Sequence, residues 1–129
     1  MTRTPQHLKY TETHQWAQQE LDDTVLVGIT DHAQAELGDL VYIQFPKIGQ
    51  HIEAGKPILV VESVKAASDV YAPLSGTITA INDDLIIAPE QVNEDAYKAW
   101  LIKVKPDDPG ALNHLLDGPA YEHLITAQT

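Results

Sequence analysis

Cysteine is absent from the 129 residues. Its absence excludes disulfide staples, thiolate metal sites and cysteine nucleophiles together, so any sulfur redox chemistry must arrive on a group attached to the chain. Cations are scarce: eight Lys and Arg stand against 19 Asp and Glu, a formal net charge of −11. Nucleic acids and anionic membranes are bound by clustered cations that displace counterions, so neither is expected as a partner. Long apolar runs are missing too, since Pro57 to Val61 and Leu85 to Ala88 fall far short of the ~20 residues that cross a bilayer. Met1-Thr2-Arg3-Thr4-Pro5-Gln6 has neither a secretory h-region nor an Arg-rich amphipathic pattern, and a cytoplasmic protein is expected. The length suits one domain over residues 1–129, which would bury roughly two-thirds of its unfolded surface without a staple.

Catalytic constellations are also lacking. Gly49 to Lys56 departs from a phosphate-binding loop, because five residues separate its glycines and Pro57 stands where Ser or Thr must hold magnesium. The histidines His7, His14, His32, His51, His114 and His123 show no His-x-x-x-His or other ligand spacing and read as surface or capping residues. Asp22-Asp23, Asp83-Asp84 and Asp107-Asp108 lie in turn contexts, where carboxylates cap and close turns.

What the chain does carry is strand pattern. Tyr10 to Ile29 is mostly strand-like, with Trp16 and the run Thr24-Val25-Leu26-Val27 suited to half-buried pleats. A short helix follows, with Asp31 as N-cap, Gln34 as capping-box partner and Gly38 at its left-handed end. Leu40 to Phe45, Pro57 to Val61, Thr77 to Ile81 and Trp100 to Val104 read as further strands. Near the end, Asp108 caps and Pro109 opens a helix bearing Leu112, Leu115 and Leu116 that stops at Gly118. Pro119 opens a second helix with Tyr121, Leu124 and Ile125. The expectation is a mainly β domain with minor α content: one early helix and two late ones. Val41-Tyr42 before Pro46-x-x-Gly49 is echoed by Val70-Tyr71 before Pro73-x-x-Gly76. If the echo is structural, it implies two similar halves packed as a β-sandwich.

One segment stands apart. The apolar strand Ile58 to Val61 leads into Glu62-Ser63-Val64-Lys65-Ala66-Ala67-Ser68-Asp69, and Val70-Tyr71 leads out. This is a β-hairpin presenting a lysine at or near its tip. Lys65 is the only basic residue between Lys56 and Lys98, while Glu62, Asp69, Asp83, Asp84, Glu90, Glu94 and Asp95 are acidic. On hairpin logic alone, an ordinary solvated turn lysine accounts for it equally well.

Glu62 to Pro73 resembles the lipoyl-attachment segment of glycine cleavage H proteins nearly residue for residue. The likeness extends to His14-x-Trp16, Val27 to Gln34, Leu37-Gly38-Asp39, Pro89 to Asp95 and Trp100 to Lys103, and so covers roughly Leu8 to Ile125. It implies a β-sandwich of the lipoyl/biotinyl-carrier type and a non-catalytic carrier of the glycine cleavage system. Lipoic acid would be attached as an amide to Lys65, with Glu62, Ser63, Val64, Ala66 and Asp69 as recognition residues around it. The implied partners are glycine decarboxylase, which loads the aminomethyl group, aminomethyltransferase, which releases it, dihydrolipoamide dehydrogenase, which reoxidises the arm, and the lipoate-attaching enzymes. By the same resemblance, Gln15, Glu36 and Asp69 would lie near the docked arm.

Two departures from the family pattern bear on this. Gln15 stands where the family commonly has Glu, so a neutral amide replaces a charge-assisted contact to an ammonium. Ala96-Tyr97-Lys98-Ala99-Trp100 is one residue shorter than the usual run and lacks its glycines, which requires a tighter or differently turned loop. Among other readings, a biotin carrier normally flanks its lysine with Met, whereas Val64 and Ala66 stand here. A lipoyl domain of a 2-oxo-acid dehydrogenase lacks the Thr30 to Gln34 and Val92 to Asp95 motifs. An enzyme with hidden acid and base residues would show activity in isolation. An H-like protein that stores lipoyl groups or relays them to other carriers needs Lys65 just as a glycine cleavage carrier does.

Overall fold

The computed structural model describes residues 4–128; Met1–Arg3, part of the stretch read for targeting signals, and Thr129 lie outside the described residues. Among the described residues nine strands form two antiparallel sheets. The larger runs in the order β1 (Lys9–Tyr10), β2 (Gln15–Gln19), β3 (Val25–Ile29), β9 (Ile102–Pro106), β8 (Gly76–Ile81) and β5 (His51–Ile52). The smaller has β6 (Pro57–Ser63) at its centre, flanked by β4 (Leu40–Gln44) and β7 (Ala67–Tyr71). Ala17, Val25, Val27 and Ile29 of the first sheet share one apolar core with Leu40, Ile43, Leu59, Val61 and Val70 of the second. The expected mainly β sandwich is present, and among the described residues no helix is long and apolar enough to cross a membrane.

The sequence echo is structural. The stretch from β4 through Pro46-x-x-Gly49 to β5 and the stretch from β7 through Pro73-x-x-Gly76 to β8 each start in the smaller sheet and end in the larger. β4 and β7 flank β6, while β5 pairs with β8, so the two halves face each other.

Trp16 anchors a second cluster with Leu8, Tyr10, Tyr121 and Ile125, on the face of β2 opposite Ala17. Its indole N–H donates to the Ala96 carbonyl at 3.0 Å. In the β2–β3 register Trp16 lies opposite Gly28, where a Cβ would stand 2.5 Å from the indole ring. The ring therefore occupies the space that any other residue at 28 would fill. Tyr10 stacks on Tyr121 with ring centroids 4.6 Å apart and planes 9° off parallel, which docks the C-terminal helix α4 (Gly118–Gln128) onto β1.

Helix α1 (Asp31–Leu37) is capped by Thr30, not Asp31: the Thr30 hydroxyl accepts the Ala33 N–H at 3.2 Å. Asp31 instead takes the side-chain amide of Gln34 at 2.9 Å. The helix ends at Gly38 with φ 81°, a positive φ as expected. Two further short helices, α2 (Asp84–Ile87) and α3 (Gln91–Glu94), carry no long apolar period and were not anticipated. From α3, Asn93 reaches across to α1 and β4. Its Oδ1 accepts the Leu40 N–H at 2.9 Å, and its Nδ2 donates to the Gly38 carbonyl at 2.9 Å and to Gln34 Oε1 at 3.0 Å.

The C-terminal expectation needs correcting. Only Ala111–His114 winds, as one 3₁₀ turn, and Gly118 opens α4 instead of stopping a preceding helix. Tyr10 and Leu116 exchange backbone hydrogen bonds at 2.8 and 2.9 Å, so the edge of the larger sheet claims the residue that a helix would have used. Asp117 then caps α4 by accepting the Ala120 N–H at 2.9 Å.

Two outcomes follow for stability. Gly28→Ala drives a methyl into the indole and is expected to lose about 1–3 kcal/mol in urea unfolding, while Gly110→Ala, whose nearest neighbours lie at 3.5 Å, stays within about 0.5 kcal/mol. Asn93→Ala strips partners from the Leu40 N–H and the Gly38 carbonyl and is expected to lose about 1–3 kcal/mol in the same measurement.

Candidate functional site

Strands β6 and β7 form the anticipated hairpin, paired from Leu59 opposite Val70 to Glu62 opposite Ala67. Its turn is closed by the Ser63 N–H donating to the Ala66 carbonyl at 2.8 Å. The Ser63 hydroxyl accepts the N–H groups of Lys65 and Ala66, both at 3.2 Å, and is itself buried. Val64 and Lys65 form the exposed tip.

The tip is held from outside the hairpin as well. The Val64 N–H donates to the Asp39 carbonyl at 3.0 Å, and Lys65 Nζ donates to the Glu36 carbonyl at 3.3 Å. A Cβ on Gly38 would lie 3.0 Å from Lys65 Cε. The aliphatic stem therefore rests on a backbone that has no side chain there, and the ammonium meets a carbonyl in the last turn of α1, where a helix end favours positive charge.

Beside the tip lies a cleft of about 170 Å³, walled by Ile29, Ala33, Leu37, Val61 and Val70 and edged by Thr13, His14, Gln15, Glu36, Ser68 and Asp69. The three residues assigned to the arm, Gln15, Glu36 and Asp69, thus share one cleft although 54 positions separate the first from the last. They differ in character. Glu36 and Asp69 are exposed carboxylates; Gln15 is 2% exposed and turned into its own chain, with Oε1 accepting from the Thr11 and Thr13 hydroxyls and Nε2 donating to the Thr13 carbonyl at 2.7 Å. Of the other recognition residues, Val64 and Ala66 are exposed at the tip, whereas Glu62 is half-buried on β6 and does not line the cleft.

One juxtaposition was invisible in the spacing of the histidines. His32 and Glu36 stand one turn apart on α1, with Nε2 and Oε1 3.1 Å apart. His14, in the turn before β2 with φ 72°, brings its ring to 4.7 Å from that of His32. His14 Nδ1 is 2.8 Å from the Tyr121 hydroxyl, which is 2.7 Å from the Thr30 hydroxyl. Burial pushes the Tyr121 phenol well above its ordinary range, against the opposing pull of the Thr30 hydrogen bond, so it stays a neutral hydroxyl. His-x-x-x-His spacing does not reveal the cluster, because its third member comes from another element; His-x-x-x-Glu on one helix face is the signal the sequence carries. Asn93 and Gly38 were legible only as motif and helix-end residues, without their roles at the tip.

The loop through Asp95 to Trp100 closes on its own backbone. Lys98 and Ala99 N–H groups both donate to the Asp95 carbonyl, at 3.2 and 3.1 Å, and the Tyr97 hydroxyl accepts the Asp31 N–H at 3.2 Å.

The sequence model of the glycine cleavage H-protein family matches residues 8–128. The chain is 54% identical over 121 residues to the glycine cleavage system H protein of Methylococcus capsulatus, covering 94% of this chain and 95% of that one. It is 52% identical over 122 residues to the protein of the same description from Ralstonia nicotianae, covering 95% and 96%. The crystal structure of a glycine cleavage system H protein from Mycobacterium marinum superposes with a TM-score of 0.83 at 35% identity, covering 97% and 99%. With this fold, with the hairpin lysine beside a cleft, and with matches running almost end to end, the chain belongs to the glycine cleavage H-protein family, the lipoyl-carrier component of the glycine cleavage system.

Proposed function

We propose that Lys65 carries a lipoyl group in amide linkage to its side-chain nitrogen, and that residues 1–129 act in the cytoplasm as one carrier domain without catalytic activity of their own. On this reading the chain receives an aminomethyl group at glycine decarboxylase and delivers it at aminomethyltransferase, and dihydrolipoamide dehydrogenase restores the oxidised arm. The observation that carries the reading is the placement of Lys65: an exposed side chain on a pinned turn, with its stem on Gly38 and the cleft beside it. When bound, the lipoyl group supplies the disulfide–dithiol chemistry that a chain without cysteine lacks.

The residues fit such a group. The Ser63 clamp and the Val64–Asp39 bond fix the turn, so a long flexible arm starts from a rigid base. Acylation removes the ammonium but leaves one N–H for the Glu36 carbonyl. The apolar wall of Ile29, Ala33, Leu37, Val61 and Val70 suits an aliphatic chain and excludes water from a labile linkage. Glu36 and Asp69 place two carboxylates at the rim, which favour the ammonium of a loaded arm. Gln15 contributes polarity without charge. Val64, Ala66 and Glu62 present a compact, weakly acidic surface to the lipoate-attaching enzymes.

Intact mass and peptide mapping after enzymatic lipoylation should find one lipoyl amide, on Lys65, and none in Lys65→Arg; modification of that variant overturns the assignment. Lys65→Ala should unfold within about 0.5 kcal/mol of the parent, as expected for an exposed turn residue, while losing all carrier activity. Docking is tested by loading the protein in EDTA and following release of the aminomethyl group with time. Asp69→Asn should lose it faster, and Gln15→Glu, which keeps the two threonine donors, gives up the bond to the Thr13 carbonyl and adds charge, should lose it more slowly. Identical decay in all three proteins would refute arm docking while leaving the attachment site intact.

A further inference from the structure

We propose that His14, His32 and Glu36 form a binding site for one borderline divalent metal ion, Zn²⁺ above all, at the rim of the cleft. Their candidate ligand atoms all lie within 4.8 Å of one another. Two imidazoles and a carboxylate are a donor set for zinc, copper, nickel or cobalt, not for magnesium or calcium, which take oxygen. Tetrahedral zinc with bonds near 2.0–2.1 Å holds its ligands about 3.3 Å apart. His32 Nε2 and Glu36 Oε1 are already at 3.1 Å, so closing the site asks movement chiefly of His14 against that pair.

Three features separate this cluster from a chance meeting of polar side chains. His32 and Glu36 are one turn apart on a single helix face, a spacing that lets one rigid element present two ligands together. The His32 side chain is only 12% exposed, while that of Glu36 is 65% exposed, so an ion would enter from the solvent side and meet a sheltered imidazole. His14 has a built support: its Nδ1 is held by the Tyr121 hydroxyl, itself held by Thr30, both fully buried. Metal-bound histidines characteristically have their second nitrogen fixed in this way, and here that support makes Nε2 the nitrogen a metal would take. The positive φ of His14 is an uncommon conformation for a residue other than glycine, and it directs this ring toward the helix.

Binding replaces a hydrogen bond: the ion takes the place of the hydrogen between His32 Nε2 and Glu36 Oε1, and the neutral His32 ring keeps its one N–H at Nδ1. Three protein ligands leave one tetrahedral position for water. Glu36 also edges the cleft, so a bound cation neutralises one of its two carboxylates and opposes an ammonium there. This last consequence, unlike the site itself, rests on the docking reading above.

The site is tested on the full, unlipoylated, untagged chain by isothermal titration with ZnCl₂ and, separately, MgCl₂. One saturable Zn²⁺ per chain is expected, with no Mg²⁺ binding. His32→Ala and Glu36→Gln should each weaken Zn²⁺ by more than about tenfold, and Tyr121→Phe, which keeps the stacked ring but drops the support of His14, by about tenfold. His51→Ala, which breaks the separate exposed pair with Asp107, should leave the affinity unchanged. Long-range ¹H–¹⁵N spectra should show the His14 and His32 imidazoles shifting together on titration. Glu36 is exposed enough that its amide variant folds, so a loss of affinity there is a lost ligand. No saturable Zn²⁺ binding, affinity that ignores His32→Ala and Glu36→Gln, or affinity that follows His51→Ala would overturn the proposal.

Discussion

A helix ends in carbonyls with no partner further along its own chain, and here the disposal of those carbonyls organises the site. At the end of α1 and just beyond it, the Gln34 carbonyl takes the N–H of Gly38, the Glu36 carbonyl takes Lys65 Nζ, the Gly38 carbonyl takes Asn93 Nδ2 and the Asp39 carbonyl takes the N–H of Val64. Two pieces distant in sequence, the hairpin tip and α3, meet the helix at these acceptors. The positive φ of Gly38 turns the chain so that the later carbonyls face outward, and the missing side chain leaves a bed for the lysine stem. Without this helix end the hairpin tip would be an ordinary turn. With it, the lysine has a fixed root and an apolar wall on one side.

Rigidity at the root and freedom beyond it suit a carrier. The tip is secured by backbone bonds and one serine hydroxyl, none of which involve the lysine side chain beyond Nζ. Acylation of Lys65, as proposed above, would change the charge of the tip without disturbing what positions it. It would remove one of only eight cations from a chain with 19 acidic residues and so sharpen the negative field offered to partners.

Sequence made the hairpin legible because its pattern is local: an apolar strand, a short polar tip, a second strand. The early helix is legible for the same reason, but its cap is Thr30, one residue before the Asp31 that the pattern favours. Asp31 and Thr30 are both good caps by chemistry, and the decision belongs to Tyr121, whose hydroxyl meets Thr30 from 91 residues away. The segment around Leu112 to Leu116 failed differently. Its leucine spacing favours a helix, but the backbone of Tyr10 offers Leu116 a strand partner, and the sheet edge prevails over local propensity. The two Pro-x-x-Gly units were readable as a repeat, and the structure assigns them the same job of crossing from one sheet to the other. The role of Asn93 was hidden because an asparagine in a short helix has no pattern of its own; only the groups it joins give it meaning.

The same limit applies to charge at the cleft. From sequence, Gln15 is a neutral amide and Glu36 and Asp69 are carboxylates, with nothing to tell which of them is buried or already engaged. The fold ranks them. Gln15 is buried and its oxygen already receives two hydroxyls, so it shapes the rim and holds no counter-ion; two carboxylates remain. Asp69 stands on β7 opposite Val60 and belongs to the hairpin, moving with the tip. Glu36 stands on α1 and is shared, its backbone oxygen serving the lysine and its carboxylate facing His32. A carboxylate that a metal holds attracts a second cation weakly, so occupancy of the proposed metal site would set how much negative charge Glu36 lends the cleft. The charge of the cleft is therefore divided between two elements, Asp69 moving with the hairpin and Glu36 fixed on the helix, where it meets both Lys65 and His32.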